Sequence, residues 1–228
     1  MGKLLDIVTV NFNTPEYIIP LVSSLHKSNA WVTDNVLVFD NSNTEKMPQG
    51  IFDGYSVSHI PNEIYSDINK LPPSKFPAAG SYNSARHAKT IQHILATIHS
   101  DYCLLVDSDI VFTVNFQELF NLFVNSNSFM CGYERVTYKH HTIAPWCCLI
   151  NMKLYRHFNM NFYDANRILY VNDLVDYDTG ASLYEDALKL GLKIIKTPDN
   201  LYWIHFKGGS VFKSAGIQWL QKNKFLWI

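Results

Sequence analysis

Several features that would assign a protein class at once are scarce in this sequence. It has four cysteines (Cys103, Cys131, Cys147 and Cys148), and their positions lack the paired spacing typical of zinc sites. They predict buried, reduced thiols. No apolar run approaches the roughly 20 residues that a membrane-spanning helix needs. The net charge of −1 also excludes the strong positive potential with which proteins capture nucleic acid.

The first residues lack the apolar core of a secretory leader, because Lys3 and Asp6 lie within them. We therefore expect a cytoplasmic protein without a transmembrane segment. The amphipathic pattern of residues 217–228 leaves peripheral contact with a membrane open. The length of 228 residues favours one large domain over two small ones.

The most informative stretch is an apolar segment that runs directly into two carboxylates. Residues 102–106 have the composition of a buried strand, and Asp107 and Asp109 follow it, separated by Ser108. Two neighbouring carboxylates at the end of a buried strand repel each other unless a cation or strong hydrogen bonds offset their charge. The pair therefore indicates a cation site. A solvated strand end that caps a helix is the alternative.

Strands and helices alternate in the first half of the chain. Residues 4–10 and 36–39 are rich in β-branched and apolar side chains, and an amphipathic helix begins between them near Pro15, with Thr14 as its candidate N-cap. This order predicts an α/β domain with a central, mostly parallel mixed sheet flanked by helices. In such sheets, ligands bind outside the carboxyl ends of the strands. Polar residues follow three predicted strands: Asn11, Asn13, Asp40, Asn41, Asp107 and Asp109.

A long helix is predicted from Gly80 to about His99, and it carries Arg86 and Lys89 in its first turns. Cations there oppose the helix dipole, which favours a bound anion at this position. A second convincing helix covers residues 181–190 and ends at Gly191.

Taken together and in this order, these features resemble the motifs of the GT-A nucleotide-sugar glycosyltransferases, most of all those of the inverting glycosyltransferase family 2. The resemblance covers roughly residues 4–210. It implies one GT-A domain of Rossmann-like type, with a nucleotide-sugar-binding half at about residues 1–110, an acceptor-binding half at about 111–213 and a tail at 214–228. The matching segments are residues 8–13, 39–43, 80–87, 107–109, 178–191 and 205–210.

The resemblance implies that several residues bind the nucleotide. Val10, Asn11 and Phe12 would line the pocket for the base, and Asp40 would accept a hydrogen bond from it. Arg86 would face the base or the diphosphate. The residues alone leave two alternatives open. In these, Asp40 is a simple turn residue and Arg86 is an exposed residue on the surface of a helix.

The resemblance also implies a cation site of two carboxylates and one imidazole. Asp109 would ligate Mn²⁺ or Mg²⁺, with Asp107 at the ribose or a metal-bound water, and Ser108 would contact the ribose. His205 would complete the metal site or touch the diphosphate; a buried core histidine is the alternative. Carboxylate and phosphate oxygens favour these hard cations, and an imidazole favours Mn²⁺ slightly.

The implied activity is that of an inverting hexosyltransferase. Such an enzyme moves a sugar from a nucleotide diphosphate sugar to a hydroxyl of a glycan or glycoconjugate and inverts the configuration at the anomeric carbon. UDP-sugars are the favoured donors. In the family, the carboxylate that acts as general base lies about a dozen residues before a glycine. Counting back by that distance from Gly191 reaches Thr179 and Gly180, so this chain departs from the pattern by about one position. Asp178 is therefore our candidate base, with Asp176 in reserve.

Two other classes stay open. A sugar nucleotidyltransferase also combines an α/β sheet with a metal-binding aspartate, but it normally begins with a glycine-rich loop, and residues 8–15 contain no glycine. A non-catalytic module that binds nucleotide sugars or glycans on a glycosyltransferase-like fold is the third class. This class stays open because Asp178 lies about one position away from where the family has its catalytic base.

Overall fold

A mixed sheet built around two adjacent parallel strands forms the centre of the fold. The computed structural model describes residues 4–69, 79–137, 140–164, 179–205 and 213–228. In these ranges, eight strands form the main sheet in the order β3-β4-β2-β1-β5-β8-β7-β9, and β10 and β6 form a small second sheet. The strands are β1 (Leu5–Asn11), β2 (Val36–Asp40), β3 (Gly50–Phe52), β4 (Tyr55–His59), β5 (Tyr102–Asp107), β6 (Ile110–Phe112), β7 (Met130–Thr137), β8 (His140–Asn151), β9 (Ile194–Thr197) and β10 (Trp203–His205).

The parallel part of the sheet comes from the alternating first half of the chain. β1 pairs in parallel with β2 and β5, and β2 pairs in parallel with β4. β8 then runs antiparallel to both β5 and β7, while β7 and β9 are parallel. β1 and β5 are buried on both faces because other elements cover each face. The predicted α/β fold with a mostly parallel mixed sheet is therefore confirmed.

Helices cover both faces of the sheet. One face packs against α3 and α6, and the other packs against α1, α4 and the small sheet. Alternation along the strands separates the two cores, so Val8 and Leu105 belong to the first and Ile7 and Leu104 to the second. The helices are α1 (Ile18–Ser28), α2 (Ser66–Asn69), α3 (Ala79–Thr97), α4 (Gln117–Asn125), α5 (Met152–His157), α6 (Ala181–Lys189) and α7 (Lys213–Lys222).

The helix signals in the sequence agree with these bounds, with one exception. α6 ends where Gly191 adopts a φ of 67°, a conformation that glycine accepts without strain. Thr14 precedes the 3-10 turn Pro15–Tyr17 that leads into α1, but its side chain makes no capping hydrogen bond. Thr14 therefore occupies the predicted N-cap position, before the 3-10 turn, but its hydroxyl is engaged elsewhere, as described below.

The C-terminal residues pack on the domain. Tyr17, Val111 and Leu220 form a small cluster of buried side chains. The Lys27 ammonium donates to the carbonyl oxygens of Phe225 and Ile228, at 2.9 and 3.0 Å. In the described ranges, no helix is long and apolar enough to cross a membrane.

All four cysteines are buried free thiols. Burial raises the pKa of Cys131 to about 12 and also raises the pKa values of the Cys103, Cys147 and Cys148 thiols. Thiols with raised pKa values are poor nucleophiles, so these residues contribute packing rather than chemistry.

Candidate active site

Two carboxylates lie at the carboxyl end of the central strand β5. Asp107 is its last residue, and the chain turns through Ser108 and Asp109 before β6 begins. The Asp107 side chain is 29% exposed, and the Asp109 side chain is 10% exposed. One carboxylate therefore faces the open edge of the sheet, and the other is enclosed by the protein.

The small sheet brings His205 to these carboxylates. β10 runs antiparallel to β6, with His205 opposite Ile110. This register places His205 Nε2 3.2 Å from Oδ1 of Asp109. One ligand atom from each of Asp107, Asp109 and His205 lies within 4.8 Å of the other two, and the described residues contain no second group of this kind.

This donor set fits a hard divalent cation. Two carboxylates supply oxygen ligands, and one neutral imidazole supplies nitrogen, a combination that suits Mn²⁺ or Mg²⁺ better than a soft metal. The His205 side chain is only 9% exposed, so its Nε2 is held at Asp109 instead of moving freely in solvent. Its Nδ1 is buried and has no hydrogen-bond partner among the described residues.

A tryptophan packs against the face of the His205 ring. Trp146 stacks on it, with ring centroids 5.0 Å apart and an angle of 22° between the planes. Trp146 lies where the pairing of β7 with β8 is irregular. Gly132 pairs with Cys148, but Glu134, two residues later, pairs with Ile143, so the register shifts between them. The sequence signal for the irregularity is Pro145, since proline is rare inside regular paired strands.

The ends of β1 and β2 are joined by a buried polar network. Oδ1 of Asp40 accepts hydrogen bonds from Asn11 Nδ2 at 2.8 Å and from the Ser42 hydroxyl at 2.6 Å. Oδ2 of Asp40 accepts one from the backbone N–H of Met47 at 2.9 Å. Both carboxylate oxygens are therefore engaged within the protein. The expected contact of Asp40 with a nucleotide base stays a prediction.

The same network extends to β5 through Thr14. Its hydroxyl donates to Asn11 Oδ1 and lies 3.2 Å from the Ser108 hydroxyl. Thr14 is almost completely buried and joins the end of β1 to the turn after β5, while Asn11 joins β1 to the end of β2. Sequence analysis missed this role, because a threonine before Pro15 also matches a helix cap.

The first turns of α3 lie beside the carboxylate pair, since His87 Nε2 is 3.9 Å from Asp107 Oδ1. The Arg86 guanidinium stacks on the Tyr65 ring, 3.9 Å from its centroid, and donates to Asn69 Oδ1 at 3.1 Å. The expected contact of Arg86 with a nucleotide stays a prediction.

Two other expected nucleotide contacts lie at the end of β1. Val10 is half-buried, and Phe12 is exposed at the open edge of the sheet. The candidate bases Asp176 and Asp178 lie outside the described residues. The next residue, Thr179, is buried and donates to the carbonyl oxygen of Ser84 in α3 at 3.3 Å. The expected roles of Val10 and Phe12 at the nucleotide, and of Asp176 and Asp178 as the base, stay predictions.

Comparisons with known proteins define the fold. No protein-family model and no curated protein matches the sequence. Among solved structures, the galactosyltransferase LgtC in complex with donor and acceptor sugar analogs matches with a TM-score of 0.54 and 15% identity, over 86% of this chain and 74% of that chain. Core-mannan synthase A from Aspergillus fumigatus, in an Mn/GDP form, matches with a TM-score of 0.54 and 10% identity, over 90% of this chain and 75% of that chain.

A third match is of another class. A putative glucose-1-phosphate thymidylyltransferase from Bacillus anthracis matches with a TM-score of 0.51 and 10% identity, over 94% of both chains. These identities show likeness of fold. The protein therefore has the α/β fold of GT-A glycosyltransferases, with its acidic and histidine cluster at the carboxyl edge of the sheet.

Proposed function

We propose that this protein is a metal-dependent, inverting glycosyltransferase. It transfers a sugar from a nucleotide diphosphate sugar, with UDP-sugars favoured, to a hydroxyl of a glycan or glycoconjugate. The observation that carries the proposal is the convergence of Asp107, Asp109 and His205 at the carboxyl end of the central parallel strand. That edge of an α/β sheet is where ligands bind.

The geometry supports specific roles in the cation site. Asp109 and His205 are the buried ligands, and the more exposed Asp107 faces the ribose or a metal-bound water. Mn²⁺ or Mg²⁺ held by these residues would offset the negative charge on the departing nucleoside diphosphate. The Mn/GDP form of the core-mannan synthase supports a search with Mn²⁺ first.

The proposed nucleotide site extends from this cation along the strand ends. Ser108 lies next to the ribose, and Val10, Asn11 and Phe12 line the base pocket. The buried hydrogen bonds that Asn11 donates to Asp40 and accepts from Thr14 support this arrangement, because together with the contact of Thr14 with Ser108 they hold the ends of β1, β2 and β5 in fixed positions.

The proposed acceptor chemistry depends on a carboxylate outside the described residues. Asp178, or Asp176 in its place, removes the proton from the acceptor hydroxyl as that oxygen attacks the anomeric carbon. Attack from the face opposite the leaving nucleotide inverts the anomeric configuration. The hydrogen bond from Thr179 to Ser84 supports this assignment, since it places Thr179, the residue after Asp178 in the sequence, beside α3.

A thermal-shift panel of UDP-, GDP- and dTDP-sugars, each with Mn²⁺, Mg²⁺ or EDTA, tests the proposal. A ligand that binds only the native protein raises its melting temperature. We expect the largest rise for a UDP-sugar with Mn²⁺ and none with EDTA. Hydrolysis or transfer of that donor should then be measured. A panel without any metal-dependent shift contradicts the proposal.

A sugar nucleotidyltransferase is the second candidate, because the thymidylyltransferase match covers 94% of both chains. The absence of glycine from residues 8–15 speaks against it. Incubation with nucleoside triphosphate and sugar 1-phosphate separates the candidates, since a nucleotidyltransferase releases pyrophosphate and a glycosyltransferase does not.

A further inference from the structure

A second polar cluster lies on β7, and its centre is one oxygen of Glu134. Oε1 of this residue accepts hydrogen bonds from the Tyr184 hydroxyl at 2.6 Å and from His141 Nδ1 at 3.0 Å. The Lys196 ammonium lies 2.8 Å from the same oxygen. These partners come from α6, β8 and β9, so three elements converge on one carboxylate oxygen.

The other oxygen of Glu134 is available to a ligand. All three contacts are made to Oε1, and no described residue bonds to Oε2. The hydrogen bonds from Lys196 and then Tyr184 lower the pKa of Glu134 to about 2, so the carboxylate is ionised at neutral pH. An ionised carboxylate oxygen that has no other donor accepts a hydrogen bond from a hydroxyl group readily.

The cluster is open to solvent on the side of its cationic members. The side chains of Lys196 and His141 are 54% and 53% exposed, whereas that of Glu134 is 20% exposed. The Lys196 ammonium has three N–H donors and uses one on Glu134. A strong acceptor and a free donor therefore lie side by side at an accessible surface.

The cluster lies at the same edge of the sheet as the carboxylate pair. β5 and β7 flank β8, with Val106 opposite Cys147 and Gly132 opposite Cys148. Glu134, two residues after Gly132, is therefore about level with Asp107 at the end of β5. Neighbouring strands are about 4.8 Å apart, so the backbone positions of Asp107 and Glu134 are about 10 Å apart across the sheet.

A purely structural ion pair is the simpler explanation, since exposed pairs contribute little to stability and are common. The pair between Lys153 and Asp101 is of that kind, with a single contact of 3.0 Å before the start of β5. Glu134 differs because three donors orient its carboxylate and leave one oxygen unused. Such orientation is typical of a group that binds a ligand.

We propose that Glu134 and Lys196 form a subsite for the acceptor and that it binds a neutral sugar through two neighbouring hydroxyls. Oε2 of Glu134 accepts a hydrogen bond from one hydroxyl, and the Lys196 ammonium donates to the oxygen of the next. Tyr184 and His141 position the carboxylate. The assignment to the acceptor rests on the proposed transferase function, because donor nucleotide and cation occupy the strand ends of β1, β2 and β5.

Saturation-transfer NMR with three simple probes tests this subsite. Methyl α-D-mannopyranoside, methyl β-D-galactopyranoside and methyl β-D-glucopyranoside are each added at millimolar concentration, with and without UDP and Mn²⁺. We expect saturation transfer to at least one glycoside. Glu134→Gln and Lys196→Met should each weaken its binding about 10-fold, the usual effect of losing a hydrogen bond to a charged group.

Lys153→Met is the matched control, because it removes an exposed lysine from an ion pair at the other end of the sheet. It should leave the signal unchanged. Saturation transfer to none of the three glycosides, or equal signals in wild type and both cluster variants, overturns the subsite. Should Glu134→Gln fail to fold, the exposed Lys196→Met variant still decides the question.

The two proposals fail in different ways. If UDP and Mn²⁺ do not bind but a glycoside signal depends on Glu134, the transferase proposal is wrong and the sugar subsite stands. If UDP binds with Mn²⁺ but no glycoside signal appears, the subsite alone is wrong.

Discussion

His205 Nε2 lies 3.2 Å from Oδ1 of Asp109, although the two residues are far apart in the sequence. The pairing of β10 with β6 produces this contact, since His205 is opposite Ile110, the residue after Asp109. A two-stranded sheet outside the main sheet therefore completes the candidate cation site. The affinity of that site for a divalent cation should depend on both Asp109 and His205.

Asp109→Asn should abolish the rise in melting temperature that UDP gives with Mn²⁺. The substitution keeps the shape of the side chain and removes the charge that a hard cation needs. Asp101→Asn is the control, because Asp101 is a partly exposed aspartate that precedes the same strand. Metal-dependent UDP binding that persists in Asp109→Asn would remove Asp109 from the site.

Trp146→Ala should weaken Mn²⁺ binding about 10-fold, the smaller end of what loss of a residue that orients a metal ligand usually costs. Trp146→Phe should retain most of the affinity, because a phenyl ring can still stack on His205. Electron paramagnetic resonance of free Mn²⁺ gives both affinities without an activity assay. Equal affinities in the two variants would mean that the stack does not hold the ligand in place.

Asp178→Asn should leave binding of the UDP-sugar unchanged and remove transfer, because a general base acts only in the chemical step. The measurements are donor affinity by calorimetry and kcat for transfer. Asp173→Asn, in the same acidic segment, is the control. Full kcat in Asp178→Asn would shift the assignment to Asp176.

Asp40→Asn should destabilise the protein by about 1–3 kcal/mol, because an amide nitrogen would then face one of the buried donors that the carboxylate now accepts. Urea unfolding measures this free energy. Asp53→Asn, in the exposed turn after β3, should change it little. If Asp40→Asn instead keeps its stability and loses UDP binding, the nucleotide contact predicted from the sequence is the better description of Asp40.

The Glu134 cluster should make stability depend on pH in the acid range. The hydrogen bond from Lys196 is the largest cause that lowers the pKa of Glu134 from 4.5 to about 2. A carboxyl with a lowered pKa in the folded state stabilises the protein fully above its unfolded value and loses that contribution as the pH falls towards its folded value.

The melting temperature of wild type should therefore fall more steeply than that of Glu134→Gln between pH 4.5 and about 2. Added salt should reduce the difference, because Lys196 and His141 are about half exposed. Parallel melting curves across this range would show that the cluster gives Glu134 no preferential stabilisation.

The general fold and the position of the candidate site follow from the sequence alone. Apolar strands of short length alternate with amphipathic helices, and this pattern leaves few arrangements other than a parallel sheet with helices on both faces. Parallel strands bring their carboxyl ends to one edge, so Asn11, Asp40 and Asp107 were expected near one another. The hydrogen bonds among Asn11, Asp40 and Thr14, and the contact of Thr14 with Ser108, join those strand ends.

The tertiary structure decided the contacts through which distant side chains meet, although the family resemblance had already implied that His205 joins Asp107 and Asp109. His205 reaches Asp109 only because β10 pairs with β6 in one register, and Trp146 reaches His205 beside an irregularity between β7 and β8. Local sequence patterns report burial and periodicity but not the register between distant strands. The three donors on Glu134 come from separate elements for the same reason, so no motif in the sequence pointed to them.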